Sequence, residues 1–299
     1  MKKIYKVTLK TLTTVHIGSG KTLRKNQCVF NNRKVSVIDE TKLTSLLLKR
    51  GLIDDFISNN TDLKTYLDNK RIDPASLTLY TLNIEGQSDS RKDINLFIKN
   101  PYNQVYIPGS SLKGALRTCL LNSSSEDNKN NPVFGKISVS DSDPIDNKCL
   151  AIYQKIDYSK EDKGESALPI YRECIKPGTE LTFTLSIEGI TLADLEKGMQ
   201  ETKKAYYNWS RGFKYGDNTG LKNVIYLGGG VGIVSKTLHY KEKPVERAKK
   251  DIYEILQKQF PLYRKFKSVP RNVPISMKLS RHGSNYLEMG KCQLTFKEI

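Results

Sequence analysis

The chain has 299 residues, with 49 lysines and arginines against 32 aspartates and glutamates, which gives a formal net charge of +17 and a pI near 9.5. A protein this basic usually meets a polyanion, most often RNA or DNA; an anionic membrane surface is disfavoured because no basic helix has a broad apolar face rich in Trp and Phe. No stretch approaches the roughly 20 apolar residues of a membrane-spanning helix, and the first residues lack the apolar block of a secretion signal, so we expect a cytoplasmic protein without a membrane partner.

The first half of the chain is predicted to alternate strands and helices. The predicted order is strand, helix, strand, strand, helix, strand, with the elements at residues 4–15, 39–50, 95–100, 104–108, 109–121 and 136–140. This is the βαββαβ order of ferredoxin-like folds, which RNA-recognition domains share. A small helical insertion is predicted at about 52–75.

The second half repeats this theme more loosely. Strands are predicted at 149–156, 179–187, 224–227, 274–279 and 292–296, and helices at 191–209 and 245–260. The acidic turn at 141–146 suggests a domain boundary. We therefore predict an α+β protein of two ferredoxin-like (RRM-like) domains, residues 1–142 and 143–299.

The segment "TTVHIGSGKT", Thr13–Thr22, ends like a nucleotide-binding P-loop but is not one. Val15 stands where that motif needs its first glycine, and the residues that follow predict a strand, whereas a P-loop feeds a helix. The glycines at 18 and 20 instead allow close backbone approach, with Lys21, Arg24 and Lys25 following. Such a segment could hold the phosphate of a chain or form a tight turn with solvated lysines.

The segment "YIPGSSLKGALRT", residues 106–118, predicts a helix whose first turn holds Ser110 and Ser111, either of which could cap it. Lys113 and Arg117, four residues apart, share the face opposite the apolar stripe. Free N–H groups, two hydroxyls and two cations near one helix end would suit a phosphate. The alternative is an ordinary capped helix.

The segment "YLGGGVGIVSKT", residues 226–237, holds four glycines in five positions after a predicted strand. It does not match the dinucleotide fingerprint G-x-G-x-x-G, because Ile233 occupies the last glycine position. We interpret it as close packing of backbone against RNA or a neighbouring subunit, with Lys236 adjacent.

Together these segments resemble the RAMP superfamily of CRISPR effector complexes and, among its families, the fifth subunits of type III-A (Csm) complexes. The resemblance rests on "TTVHIGSG", "YIPGSSLKGALRT", "VSDSDPIDNKCLAIYQKID", "YRECIKPGTELTF" and "LGGGVGIVSKT", in that order. It implies paired ferredoxin-like domains with glycine-rich loops.

The resemblance also implies a function: capping the filament of backbone subunits at the crRNA 3′ end, and a requirement for crRNA 3′ maturation. The implied partners are crRNA, the backbone RAMP subunits, the small helical subunits, recruited nucleases and, indirectly, target RNA. The predicted RNA-binding residues are His16, Gly18, Ser19, Gly20, Lys21, Arg24, Gly109, Ser110, Ser111, Lys113, Arg117, Arg172, Gly228, Gly229, Gly230, Gly232 and Lys236.

Catalysis has weak support in the sequence. RAMP subunits that cut RNA use an aspartate after the first strand, whereas residues 11–38 contain no carboxylate and the first is Asp39. The alternative function is a metal-independent endoribonuclease that processes crRNA precursor with His16 as general acid or base, but His239 and His282 are distant in sequence. The five cysteines are odd in number and lack a C-x-x-C pair, so neither zinc nor a disulfide framework is indicated. We expect a non-catalytic subunit without metal or cofactor.

Two further features leave alternatives open. Aromatic side chains among basic residues could stack on unpaired bases, at about 1–3 kcal/mol each, or belong to the core: Tyr153, Tyr158, Tyr171, Tyr206, Tyr207, Trp209 and Tyr215. The segment 241–271 has a net charge of +6. It is either a docking surface for RNA or nucleases, or a solvated helix face.

Overall fold

The computed structural model describes residues 2–86, 93–121, 135–159, 164–213 and 220–299, without side chains for 164–169. The strands are β1 (Lys2–Thr11), β2 (Gly18–Leu23), β3 (Cys28–Asn31), β4 (Lys34–Ile38), β5 (Thr78–Glu85), β6 (Ile94–Phe97), β7 (Ile137–Val139), β8 (Leu150–Ser159), β9 (Gly164–Ile175), β10 (Glu180–Glu188), β11 (Val224–Tyr226), β12 (Ser276–His282), β13 (Asn285–Glu288) and β14 (Lys291–Glu298). The α-helices are α1 (Glu40–Lys49), α2 (Ile53–Ile57), α3 (Leu63–Asn69), α4 (Gly109–Leu120), α5 (Leu192–Ser210), α6 (His239–Glu242) and α7 (Val245–Gln259).

Within these ranges the strands form two sheets, so the protein is a mixed α+β fold. The first sheet has five strands in the order β11-β14-β1-β10-β7, and all of its pairs are antiparallel. Helices α4 and α5 contact each other, with α4 against β7 and α5 against β11. Buried side chains of β1 and β10, such as Val7, Leu9 and Phe183, share one apolar core with Leu116 of α4 and Leu195 of α5.

The strand pairing differs from the predicted division at residues 142 and 143. β1, from the first half, lies between β10 and β14, both from the second half, and pairs Val7 with Phe183 on one side and Phe296 on the other. The physical reason is the alternation of β1, which buries every second residue; β10 has the matching alternation, and such a half-buried strand needs neighbours with an apolar set on the same face. In chain order the elements β1, α4, β7, β10, α5 and β14 do follow strand, helix, strand, strand, helix, strand, but they come from both halves.

The second sheet has nine strands and is organised around β8. Its main path runs β2-β6-β9-β8-β5-β4-β3, and β12 joins β8 and β13. β8 pairs with β9 on one edge. On its other edge it pairs with β5 in parallel at Ile152 and with β12 at Ile156. Two elements from distant parts of the sequence therefore share one edge of β8.

The predicted helical insertion is observed as α2 and α3, which lie next to α1. Leu47 of α1 and Leu63 and Leu67 of α3 form a small separate core with Val29 and Ile38 of the β3–β4 hairpin. Asp39 caps α1 by accepting hydrogen bonds from the N–H groups of Thr41 and Lys42. Burial of this apolar cluster holds the insertion against the hairpin.

Most predicted elements of the second half are found within one or two residues of their predicted ends. Three differences stand out in the first half. The segment 104–108 forms only isolated bridges at Val105, and residues 18–20 begin a strand, β2, rather than a glycine turn. The strands β4 and β5 were not predicted, and in the second half β9 and β13 were not predicted either. None of the helices in the described ranges is both long and apolar enough to cross a membrane.

Candidate nucleic-acid interface

The glycine-rich segment after β11 packs directly on the chain that leaves β1. The N–H of Gly229 donates a 2.7 Å hydrogen bond to the backbone carbonyl of His16. A Cβ on Gly228 would collide with that same carbonyl, and Gly228 has φ of +82°, a region that favours glycine. Two of the sequence motifs therefore meet at one backbone contact that requires glycine.

His16 is a buried, neutral side chain at this contact. It is 6% exposed, and its Nδ1 lies 2.7 Å from the carbonyl oxygen of Glu173, so Nδ1 carries the proton that it donates. Its Nε2 lies 3.2 Å from where a Cβ on Gly18 would stand. Burial lowers the pKa of His16 to about 4, although the hydrogen bond to Glu173 opposes the shift. At neutral pH the imidazole is uncharged and a weak base.

Arg172, on β9, brings a positive charge to the same place. One of its terminal nitrogens lies 4.0 Å from Sδ of Met289 and 3.8 Å from the position of a Cβ on Gly229. The side chain is half-buried, and its Nε is buried with no hydrogen-bond partner within the described residues. Burial lowers the pKa of Arg172, against the effects of Cys174 and Asp157. The guanidinium therefore borders the glycine-rich segment with unused hydrogen-bonding capacity.

The other side of the glycine-rich segment faces α4 across a groove. A cavity of about 340 Å³ lies between them. It is lined by residues of the second and third motifs, among them Ser110, Ser111, Gly114, Gly228, Ser235 and Lys236. Lys236 is exposed in a short 3-10 turn, Val234–Lys236. All three motifs thus converge around Gly228 and Gly229.

The backbone of the glycine-rich segment leaves donors for a ligand. φ is positive at Gly228, Gly230 and Gly232, at +82°, +105° and +75°, and negative at the residues between them. The N–H groups of Gly230 and Gly232 donate to no acceptor in the described part of the chain. A backbone whose successive residues alternate in handedness forms a concavity that binds anions. With Lys236 on one side and Arg172 on the other, this concavity suits a phosphate.

The start of α4 differs from the prediction. Neither serine caps the helix; instead the N–H of Gly109 donates to a carboxylate oxygen of Asp141 at 2.8 Å. A Cβ on Gly109 would collide with the carbonyls of Val139 and Ser140, so the helix begins in tight contact with β7. Since a carboxylate already occupies this helix end, it is poorly suited to a phosphate.

Several predicted site residues lie elsewhere. Lys113 and Arg117 are on α4 but do not line the groove, which contacts the face with Ser111, Gly114 and Thr118.

The predicted residues after Gly18 also lie away from the groove. Lys21 is exposed on β2. Ser19, also on β2, donates to the carbonyl of Leu96, and Gly20 has φ of +80°. Arg24 and Lys25 line a separate cavity of about 720 Å³ beside Phe56 and Ile57 of α2.

A buried ionic group around Glu173, which was not predicted from the sequence, packs against His16. The fully buried carboxylate of Glu173 accepts hydrogen bonds from the hydroxyl of Tyr80, the N–H of Phe97 and the ammonium of Lys99, at 2.7, 2.8 and 2.9 Å. The same residue's carbonyl binds His16. Burial lowers the pKa of Lys99, while Glu173 opposes this. The only sequence signal was a glutamate within the otherwise mostly apolar strand "YRECI".

The predicted stacking residues are mostly core. Tyr153, Tyr171, Tyr206 and Trp209 are 1–5% exposed, which leaves no ring face for a base. Tyr158 and Tyr207 are partly exposed, and Tyr215 lies outside the described residues.

All five cysteines are unpaired and four are buried. No group of three His, Cys, Asp or Glu side chains suited to a metal occurs within the described ranges.

The comparisons with known proteins are consistent with one another. The RAMP superfamily matches residues 8–258. The CRISPR system Cms protein Csm5 of Enterococcus italicus is 36% identical over 100% of this chain and 99% of its own length, and that of Streptococcus thermophilus is 28% identical over 99% and 98%.

Two solved structures share the fold. A chain of the cryo-EM structure of a type III-A Csm–crRNA–target RNA ternary complex has a TM-score of 0.75 at 18% identity, covering 97% of this chain and 100% of that one. The crystal structure of T. onnurineus Csm5 has a TM-score of 0.65 at 19% identity, covering 96% and 99%.

Proposed function

The chain belongs to the RAMP superfamily and, within it, to the Csm5 family, and from this premise we propose that it binds crRNA as a subunit of a type III-A CRISPR effector complex. In this role it caps the filament of backbone subunits at the crRNA 3′ end and is required for 3′ maturation of the crRNA. Its direct partners are crRNA and the neighbouring Csm subunits, in the cytoplasm. Recruited nucleases would carry out the trimming.

The observation that carries this proposal is the convergence of three sequence motifs around Gly228 and Gly229. The backbone there has unused N–H donors, a half-buried guanidinium at Arg172 on one side, and the exposed ammonium of Lys236 on the other. Such a site grips a phosphate without reading a base. It therefore suits guide RNAs whose sequences differ.

We also propose that the ferredoxin-like unit of this chain is the first sheet with α4 and α5. Its elements follow the βαββαβ order when read along the chain, which supports a single unit closed by β1 and β14. The second sheet would then be the other RAMP unit, with the α2–α3 insertion attached to it.

His16 is better explained as a positioning residue than as the base of a nuclease. Its pKa of about 4 leaves it a weak base at neutral pH, where a general base works best with a pKa near the working pH. Its Nδ1 is engaged by Glu173 and its carbonyl by Gly229. We accordingly propose a non-catalytic subunit.

The test is to assemble the complex with and without this chain and to measure the length distribution of the bound crRNA. Without the chain we expect crRNAs that keep extended 3′ ends. If the complex lacking the chain retained normal 3′ ends, the capping role would be wrong.

A point variant tests the phosphate site itself. Lys236→Gln removes one charge at the groove and should weaken RNA association by about 2- to 10-fold at moderate salt, as expected for one lost phosphate contact. Lys222→Gln, an exposed lysine at the other end of β11, is the matched control. Equal affinities of the two variants would remove the groove from the RNA path.

A further inference from the structure

A second group of cations lies on the sheet face next to the glycine-rich segment. Opposite residues of paired strands share a face, and so do residues two apart in one strand. Arg172 pairs with Tyr153, and Lys278 pairs with Asp157. The register of β8 with β9 shifts between Gln154 and Ile156, but Asp157 contacts both Lys155 and Lys278, which places these three side chains on one face. Arg172 is close enough to lower the pKa of Lys155.

The cations of this group outnumber the acid that they surround. The ammonium of Lys278 lies 2.6 Å from one carboxylate oxygen of Asp157, and that of Lys155 lies 3.4 Å from the other. The side chains of Lys155, Asp157 and Lys278 are 13%, 22% and 29% exposed. With Arg172, three cations share one described carboxylate. Glu85, on β5 opposite Tyr153, lies two strands away from Arg172.

This arrangement is electrostatically incomplete. Partly buried like charges repel more strongly than exposed ones because water screens them less. Burial lowers the pKa of Lys155; Asp157 opposes this, and Lys278 and Arg172 lower it further. Arg172 also has a buried Nε without a partner in the described residues. A bound anion would neutralise the excess charge of the three cations.

The group is continuous with the glycine-rich segment through Arg172, which lies beside Gly229. We propose that Arg172, Lys155 and Lys278 form a second phosphate seat, so that the RNA backbone runs from the glycine-rich segment onto the β9–β8–β12 face. This inference rests on the proposed function and adds a path for the RNA. The ligand is a phosphate of single-stranded RNA. An RNA chain bound at the glycine-rich segment brings its next phosphates to Arg172, Lys155 and Lys278 at high local concentration.

The test uses the full chain with Lys155→Gln and Lys278→Gln combined. Glutamine can still donate to Asp157, so the strand contacts are kept while two charges are removed. Binding of a labelled single-stranded RNA is measured over a series of salt concentrations. Each phosphate contact contributes about 0.7 to the slope of log affinity against log salt for single strands, so the slope should fall by about 1.4.

The matched control is Lys6→Gln with Lys297→Gln. These exposed lysines face each other across β1 and β14 and give the same change in net charge. The control should keep the wild-type slope. If the Lys155 and Lys278 variant also kept it, or if both variants lost the same amount, the second seat would be refuted.

Two further outcomes are informative. Asp157→Asn removes the competing carboxylate and should tighten RNA binding, whereas a purely internal ion-pair role predicts a loss of thermal stability with no gain in affinity. This variant serves if the lysine variants do not fold. A wild-type chain and complex that bound no RNA would instead overturn the proposed function, which is a distinct failure from an unchanged slope.

Discussion

At the residue scale, the surroundings of His16 decide its chemistry. The sequence made this side chain a candidate general acid or base. In the structure, burial keeps the imidazole neutral, and its Nδ1–H donates to the carbonyl of Glu173. A folded pKa of about 4 against an ordinary 6.5 means that the unfolded chain takes up the proton first. The free energy of unfolding is therefore unaffected by this group above pH 6.5, and it decreases as the pH falls from 6.5 toward 4.

We expect a loss of about 2 kcal/mol in the free energy of unfolding from His16 between pH 7 and pH 5, by proton linkage. The measurement is urea unfolding at both pH values for wild type and His16→Asn, whose amide can replace Nδ1 as donor. Burial also lowers the pKa values of His239 and His282, so wild type and variant share their contribution. The free energy of unfolding of the variant should depend less on pH than that of wild type. An identical pH dependence would show that the pKa of His16 in the folded protein is not lowered.

At the element scale, the contact between α4 and α5 depends on one glycine. A Cβ on Gly198 of α5 would collide with the carbonyl of Cys119 at the end of α4. The same helix end is bound by the buried ammonium of Lys241, which donates to the carbonyls of Cys119 and Leu121. The two helices that cover the first sheet therefore meet backbone to backbone.

Gly198→Ala should destabilise the protein by about 1–3 kcal/mol, because overpacking forces the helices apart. Gly114→Ala is the control: it lies inside α4, and a Cβ there meets nothing within 4 Å. Alanine favours helix by up to about 1 kcal/mol over glycine, so this control should be neutral or stabilising. Thermal and urea unfolding of both variants test the difference, and similar shifts for both would show that the helix contact is loose.

At the scale of the whole molecule, the first sheet ties the two ends of the chain together. β1 and β14 are neighbours over seven residue pairs, from Tyr5 with Glu298 to Thr11 with Cys292. Together with the pairing of β1 to β10, this makes the sheet depend on both halves.

We expect residues 1–142 and residues 143–299, produced separately, to show no cooperative unfolding, because each lacks neighbours for its half-buried strands. Mixed or co-expressed, they should associate and regain a cooperative transition by circular dichroism. A cooperative transition in residues 1–142 alone would instead support two consecutive domains.

Individual residues show where prediction from sequence succeeds. The helices predicted at 191–209 and 39–50 are found as α5 and α1, and local hydrogen bonds begin both: Thr191 and Asp194 form a capping box, and Asp39 caps α1. Local hydrogen bonds and periodicity determine such features, so a short window of sequence contains them. The contacts of Glu173 with Lys99 and of Lys278 with Asp157 could not be foreseen, because these partners lie 74 and 121 positions apart in the sequence.

The family resemblance, the basic character and the glycine-rich motifs could be predicted without a structure, because composition and local pattern are properties of the chain alone. Which motifs meet depends on the three-dimensional fold. It placed Gly228 and Gly229 on His16, left Lys113 and Arg117 off the groove, and filled the start of α4 with Asp141. Strand pairing is non-local. β1 pairs with β10 and β14 because their buried residues lie on the same face of the sheet, and a short stretch of sequence does not show which distant strand will pair with it.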